Sequence, residues 1–363
     1  MKILLVIIGL GMGGAEHVVS NLADELTKLG HKVKIAYLTG EVLVSPKNSD
    51  VELISIEMKD AKDFTKAYIK LRGLVKKFKP DVVHSHMLHA NIISRLLRLS
   101  IHIPNIVSTA HNVDEGGKIP MLAYRLTDRL SNISTNVSEQ AVGEFIKKGA
   151  VKAGRMIAIP NGINTNEFYF DYSFRKEKRA ELFVEDKKLV LCVGRLDEQK
   201  DYPNLFSAVS LLKDKRQDFK VVIAGDGPHK SSLRKLIESM DLQEHIVLLG
   251  IRRDIRELMS ASDIFVLPSA WEGFGLVVAE AMACERYVIA TDCGGVNEVV
   301  GQCGVLINKK DHIALADKLT QALDMSIEQR REIGKLARKH IINNYSLNTN
   351  VESYLKLYNN ANI

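Results

Sequence analysis

The chain has 363 residues, 46% hydrophobic and 26% charged, which fits two or three globular domains. No apolar run reaches the ~20 residues of a membrane span, and glycines rather than a small-residue cleavage site follow the opening run 2–8, so that run reads as a buried strand and not a signal peptide. The net charge of +6 is uneven: residues 1–170 hold 22 Lys and Arg against 16 Asp and Glu and the remainder 28 of each, which points to an anionic partner for the first half, whether a membrane surface, a phosphate-linked acceptor or nucleic acid.

Taken in order, residues 3–8 predict a strand, 9–14 a turn, 15–29 a helix and 32–38 a second strand. Gly9-Leu10-Gly11-Met12-Gly13-Gly14 matches the dinucleotide fingerprint G-x-G-x-x-G, but the acid expected about 20 residues on is poorly supplied, Glu41 being the nearest. Gly13 and Gly14 still make a phosphate-accommodating turn at a helix start; the alternative is a plain tight turn.

Residues 64–78 predict a basic amphipathic helix. Phe64, Ala67, Tyr68, Leu71, Leu74, Val75 and Phe78 share one face, while Lys66, Lys70, Arg72, Lys76 and Lys77 occupy the rest. The stripe can pack on a sheet while the lysines touch anionic lipid headgroups, each contributing about 1 kcal/mol. Strands at 82–86 and 106–109 follow. Their ends carry His84, His86 and His111, where open α/β sheets gather ligands. His84 and His86 read equally well as hydrogen-bonded core histidines. No H-x3-H or H-E-x-x-H spacing supports a metal site, and none is expected. A helix near 120–130, a strand into the N-cap Ser138, a helix to 148 and a strand at 156–159 complete the first half.

The alternation restarts with strands at 189–193, 221–224, 246–249, 264–267 and 287–290, and helices at 276–284, 313–323, 328–342 and 347–358. The four cysteines show no close metal-ligand pairing and lie among apolar residues, which predicts reduced buried thiols in a cytoplasmic protein.

One stretch organises the rest: the strand 264–267, the loop Pro268-Ser269-Ala270-Trp271-Glu272-Gly273-Phe274-Gly275, and a helix from Leu276 that carries Glu280. Gly273 and Gly275 flank Phe274, so the backbone can approach a ligand, and the helix start offers free N–H groups to a phosphate. Helical side chains tilt toward the N-terminus, which aims Glu280 back at the loop that holds Glu272. Two carboxylates beside an anion site suit a ligand with both phosphates and hydroxyls: a nucleotide sugar.

The Glu-x7-Glu spacing of Glu272 and Glu280 within E-G-F-G-L-V-V-A-E resembles the signature of the family 4 retaining glycosyltransferases, which have the GT-B architecture. Gly194-Arg195-Leu196-Asp197-Glu198-Gln199-Lys200 resembles the family's G-R-x4-K segment, with Asp201 where glycine is frequent. Gly294-Gly295-Val296-Asn297-Glu298 resembles its G-G-x-x-E segment, with Asn297 where proline is common. Pro160-Asn161-Gly162 resembles the crossing between its domains. Gly13-Gly14-Ala15-Glu16 matches a G-G-A-E segment of members that build surface polysaccharides on polyprenyl diphosphates.

The resemblance implies an α/β, GT-B fold: two Rossmann-like domains facing a central cleft, 1–168 with a returning helix in 347–363, and 169–346. It implies a metal-independent hexosyltransferase without a cofactor, using a UDP-hexose or UDP-N-acetylhexosamine. Arg195 and Lys200 would grip the diphosphate. Glu272 and His111 would contact the donor hexose, Glu280 the ribose, and backbone at Ile251 the base. The acceptor would be a lipid-linked glycan. Attachment through Lys66, Lys70, Lys76 and Lys77 would make the protein peripheral to the inner face of the plasma membrane, with no nucleic-acid partner. A sugar-nucleotide epimerase-hydrolase on the same architecture and an NAD-dependent oxidoreductase are the alternatives.

Overall fold

The computed structural model describes residues 1–359, apart from the side chain of Ala61. The chain divides into two units: Met1–Gly162 with the chain from Leu347 onward, and Ile163–Ser346.

The first unit runs β1 (Lys2–Ile7), α1 (Gly14–Lys28), β2 (Lys32–Tyr37), β3 (Glu52–Ser55), α2 (Phe64–Phe78), β4 (Val82–His86), α3 (Leu88–Leu97), β5 (Asn105–Ala110), α4 (Lys118–Thr127), β6 (Ile133–Asn136), α5 (Glu139–Lys147) and β7 (Met156–Ala158). Its seven strands are parallel in the order β3-β2-β1-β4-β5-β6-β7. Residues Ile3 to Ile7 are fully buried because helices cover both faces of such a sheet, which is why the strand reads as an unbroken apolar run. Ser138 caps α5 as expected, its side chain accepting from the Ala141 N–H.

The second unit runs α6 (Tyr172–Glu181), β8 (Lys188–Val193), α7 (Tyr202–Ser210), β9 (Phe219–Ala224), α8 (Lys230–Ser239), β10 (Ile246–Gly250), α9 (Ile255–Ala261), β11 (Ile264–Leu267), α10 (Leu276–Ala283), β12 (Tyr287–Thr291), α11 (Val296–Val300), β13 (Val305–Ile307), α12 (His312–Asp324) and α13 (Ile327–Tyr345). Its six strands are parallel in the order β10-β9-β8-β11-β12-β13. The short helices α7, α8, α9 and α11 and the edge strands β3 and β13 were not expected from the sequence.

The expected boundary at 168/169 moves to 162/163. Ile163 donates its N–H to the Tyr345 carbonyl, and Arg338 binds the carbonyls of Thr165 and Phe168, so 163–168 pack on α13. The last helix, α14 (Leu347–Asn359), belongs to the first unit. Val351, Tyr354 and Tyr358 enter the core formed by β1 and α1, and Asn350 donates to the Pro160 carbonyl. Positions 360–363 of the expected returning segment lie outside the described residues.

Candidate active site

In each sheet the strand order reverses once, and open α/β sheets bind ligands in the crevice past the strand ends at that point. In the second unit the reversal falls between β8 and β11, whose following loops are the G-R-x4-K segment and the E-G-F-G segment.

These two loops meet. Lys200 places its ammonium 2.5 Å from Glu272 Oε1, which also accepts from Ser269 Oγ at 2.8 Å. Gln199 Nε2 donates to Glu272 Oε2 at 3.3 Å and to the Trp271 carbonyl at 3.1 Å. Thr291, at the end of β12, holds the Ser269 carbonyl at 2.6 Å. The carboxylate is therefore oriented from both oxygens and shielded from water. A side chain on Gly294 would meet the Glu272 carbonyl at 1.8 Å, so the G-G-x-x-E loop lies directly against the Glu272 backbone. A side chain on Gly194 would meet the stem of Lys200 at 2.7 Å, which accounts for the glycine ahead of the lysine. Ser269, Gln199 and Thr291 were missed by sequence reasoning. Only the position of Gln199 and Ser269 inside the two matching segments could have flagged them.

Asp201 sits in the left-handed region, φ 43° and ψ 47°, where glycine is favoured and aspartate is tolerated. The departure from the family pattern therefore leaves the Lys200 loop intact.

Gly275 precedes α10, where Val278 and Ala279 donate back to its carbonyl; Leu276 and Val277 are the open first N–H groups of the helix. Glu280 is half-buried and makes no hydrogen bond or ion pair with its carboxyl among the described residues. Burial, then the negative field of Glu167, push this carboxyl up to about 8. The Phe274 ring is buried edge-on against Tyr345, with centroids 5.6 Å apart, so only its backbone is left for a ligand. Gly273 accepts from the Gly295 N–H. Arg195 stands apart from the pair: its side chain is 71% exposed, and its nearest acid is Asp197 at 3.6 Å. Ile251 is exposed just beyond β10.

In the first unit the reversal falls between β1 and β4, where Gly13 and Gly14 begin α1 and His86 ends β4. The space above Gly13 is taken by the Glu16 carboxylate, whose oxygens would lie 2.4 and 3.1 Å from a side chain placed there. The α1 start is thus already faced by an acid of its own first turn.

His86 Nδ1 lies 3.1 Å from His111 Nε2. Burial holds His111 down at about 4 and His86 well below its ordinary value, so both imidazoles are neutral at pH 7. His86 Nε2 is buried without a partner among the described residues. His84 is a core histidine, bonded to Tyr358 Oη at 2.6 Å and Thr109 Oγ1 at 2.7 Å. Met87, next to His86, has φ 73° and ψ 161°, a region nearly restricted to glycine; such strain persists where surrounding structure fixes it, commonly at functional sites. Glu115 was not anticipated. It accepts from the N–H groups of His111 and Leu88, burial raises its carboxyl to about 7, and its Oε1 has no partner among the described residues. Among the described residues no group of three or more His, Cys, Asp and Glu is arranged to hold a metal.

The α2 stripe packs inward through Ala67, Leu71, Val75 and Phe78. Lys66, Lys76 and Lys77 are exposed, but Lys70 is paired with Glu57 at 2.9 Å and is not freely available to a surface. The helix expected near 120–130 is α4, but its outward apolar row of Ile119, Leu122 and Leu126 at helical spacing was not anticipated. No helix of the described residues is long and apolar enough to cross a membrane. Cys192, Cys284 and Cys293 are buried free thiols and Cys303 is half-buried.

Residues 173–340 match the model of glycosyl transferases group 1, and residues 12–167 that of glycosyltransferase family 4. A UDP-Gal:alpha-D-GlcNAc-diphosphoundecaprenol alpha-1,3-galactosyltransferase of Escherichia coli is 28% identical over 310 residues, covering 81% of this chain and 79% of that protein. An N-acetyl-alpha-D-glucosaminyl L-malate synthase of Bacillus anthracis is 26% identical over 297 residues, covering 80% and 77%. Among solved structures, Anabaena HepE, in complex with UDP and glucose, matches with a TM-score of 0.87 at 20% identity over 99% of this chain and 100% of that one. With a glycosyltransferase model matched in each unit and the two-sheet fold shared along nearly its whole length, the chain belongs to the family 4 glycosyltransferases of GT-B fold.

Proposed function

We propose that the protein moves a hexose or N-acetylhexosamine from a UDP-linked donor to a sugar hydroxyl on a polyprenyl-diphosphate-linked glycan, with retention of configuration and without a metal ion, in surface polysaccharide biosynthesis. The observation that carries this reading is the shielded Lys200–Glu272 pair beside the open end of α10. A departing UDP gains negative charge, and fixed cations and helix N–H groups stabilise it without reorganising. Lys200 has ammonium protons left for a phosphate, and Arg195 is free to swing onto the diphosphate. Glu272, pinned on both oxygens, would orient the hexose through its hydroxyls rather than attack it. Glu280 would receive the ribose hydroxyls. The acceptor would attack on the leaving-group face, its proton passing to the departing phosphate. His111, a neutral imidazole, would bind the sugar as donor or acceptor of a hydrogen bond.

The E. coli relative's name specifies UDP-Gal and an undecaprenyl-diphosphate acceptor, and the basic surplus of the first half supports the same acceptor class here. The B. anthracis relative's name specifies malate, so acceptor identity must be tested directly. Neither the epimerase-hydrolase nor the oxidoreductase reading finds support among the relatives.

The test is product analysis with a panel of UDP-hexoses and UDP-N-acetylhexosamines, each offered an undecaprenyl-diphosphate-linked sugar or L-malate, with and without EDTA. The expected product is an α-linked lipid disaccharide that EDTA does not suppress. Thermal stabilisation by NAD and by no nucleoside diphosphate would sink the donor assignment. Activity lost to EDTA and restored by Mn²⁺ would reject the metal-independent part.

A further inference from the structure

At the opposite end of the second sheet from the donor loops lies a cavity of about 290 Å³. Asp263 lines it and immediately precedes β11; Arg286 lines it and immediately precedes β12. These parallel strands run from the cavity to the loops that hold Glu272 and Gly294, so the cavity is separate from the donor crevice.

Its charge is unbalanced. Arg286 and Arg330 are only 8% and 6% exposed, yet neither has a carboxylate within 4 Å among the described residues. Arg286 spends Nε and Nη1 on the carbonyls of Cys284, Ser260 and Ser262; Arg330 spends Nη1 on those of Ala322 and Met325. Nη2 of Arg286 and Nε and Nη2 of Arg330 make no hydrogen bond among the described residues and keep some solvent exposure. Arg331, exposed on the same wall, is also unpaired among the described residues. Asp263 offsets them only from beyond ion-pair distance, because it is bonded to Arg175 at 2.6 Å and Arg179 at 3.0 Å. Glu285 faces Arg286 and Glu328 faces Arg330, each from beyond ion-pair distance.

Buried cations are ordinarily paired, since taking a charge out of water is costly. Burial and the neighbouring guanidinium of Arg175 hold Arg286 down at about 10, the direction expected of a cation lacking an anion. Guanidinium forks match phosphoryl oxygens in pairs. Phe170 stacks beneath Arg286 at 4.7 Å and Tyr172 stands at the rim, giving the remainder of a ligand an aromatic wall. The volume lies at the small end of ligand cavities.

We propose that this cavity binds a small phosphate ester, its phosphoryl group held by Arg286, Arg330 and Arg331 and its organic part against Phe170 and Tyr172. The site would respond to a phosphorylated metabolite independently of the donor.

The experiment is thermal unfolding of the full chain titrated with inorganic phosphate, with a hexose 6-phosphate, and with NaCl at matched ionic strength, each with and without saturating UDP. The expected result is saturable stabilisation by both phosphates beyond that of NaCl, half-complete at a lower concentration for the ester, and persisting with UDP present and in Arg195→Ala. Arg331→Glu, at an exposed unpaired position that spares the fold, should raise the half-effect concentrations about tenfold or more. A phosphate effect no larger than that of NaCl, one removed by UDP, or one indifferent to Arg331→Glu overturns the site. Stronger binding of inorganic phosphate than of the ester overturns the ester assignment. The NAD and UDP measurements that decide the donor reading are separate, so either conclusion can fail alone.

Discussion

Lys200 and Glu272, 2.5 Å apart and only 12% and 9% exposed at their side chains, form a shielded ion pair between the loops that follow β8 and β11. Removing one member of such a pair leaves the other charge uncompensated, whereas removing both does not. Lys200→Met and Glu272→Gln should therefore each destabilise the protein, and the double variant should recover about 2 kcal/mol relative to their sum. Thermal or urea unfolding of the four proteins measures this. Strict additivity would show that the pair is not coupled. Turnover should fall in all three variants, since both groups are assigned to the donor.

Arg195 gives the contrasting case. An exposed side chain with one loose acid partner contributes little to the fold. Arg195→Ala should leave the melting temperature nearly unchanged while weakening UDP binding by ~1.5–3 kcal/mol, the value of a hydrogen bond to a charged group. Calorimetric titration of UDP decides it; unchanged affinity would remove Arg195 from the diphosphate contacts.

Much of the fold was legible because parallel strands buried on both faces are unbroken apolar runs, as at Ile3 to Ile7 and Ile264 to Leu267. The edge strands β3 and β13 are short and only partly buried, and carry no such signal. Glu272 and Lys200 stood out through their segments, but their contact with each other could not be read, because 72 residues separate them. The glycines flanking Phe274 suggest a backbone approach to a ligand, but they carry no sign that its ring fastens the loop to Tyr345.

The two departures from the family pattern were legible as departures, and the structure gives their cost. Asp201 is left-handed, and Asn297, in the first turn of α11, has a buried amide oxygen with no partner among the described residues. Asp201→Gly and Asn297→Pro should each raise stability by about 0.5–1 kcal/mol, glycine by relieving the left-handed conformation and proline by suiting a first-turn position that needs no N–H. A lower melting temperature for either would contradict the local geometry.

Glu280 sets a pH dependence of known sign. Below the ordinary carboxylate value both folded and unfolded chains hold the proton. Between there and about 8 the unfolded chain releases it while the folded chain keeps it, so this group makes stability fall as pH rises through that window. Glu280→Gln removes the titration. The variant should exceed the wild type by roughly 1–3 kcal/mol at pH 8, and the difference should fade toward pH 4.5. It should also bind UDP less tightly if the ribose assignment holds. A stability difference that grows on acidification would reverse the sign and refute the half-buried, protonated carboxyl.

The proposed membrane attachment would draw on two helices of the first unit. On α2 the apolar stripe is committed to the core, so its contribution is limited to charge, from Lys66, Lys76 and Lys77 with Lys70 held by Glu57. On α4, Ile119, Leu122 and Leu126 are 82%, 52% and 73% exposed along one face, and Lys118, Arg125 and Arg129 lie exposed beside them. An outward apolar row edged by cations suits the headgroup boundary of an anionic bilayer. The two contributions differ in salt response, because lysine attraction is screened within ~10 Å at 0.1 M ionic strength while apolar burial is not. Cosedimentation with phosphatidylglycerol vesicles should show wild-type binding that weakens but persists at high salt. Replacing Lys66, Lys70, Lys76 and Lys77 by glutamine should weaken the salt-sensitive part and leave the salt-resistant part. Ile119→Ser, Leu122→Ser and Leu126→Ser together should abolish the remainder, leaving UDP binding intact. Equal high-salt binding by this triple variant and the wild type would remove α4 from the attachment, and loss of all binding in the lysine variant would return it wholly to α2.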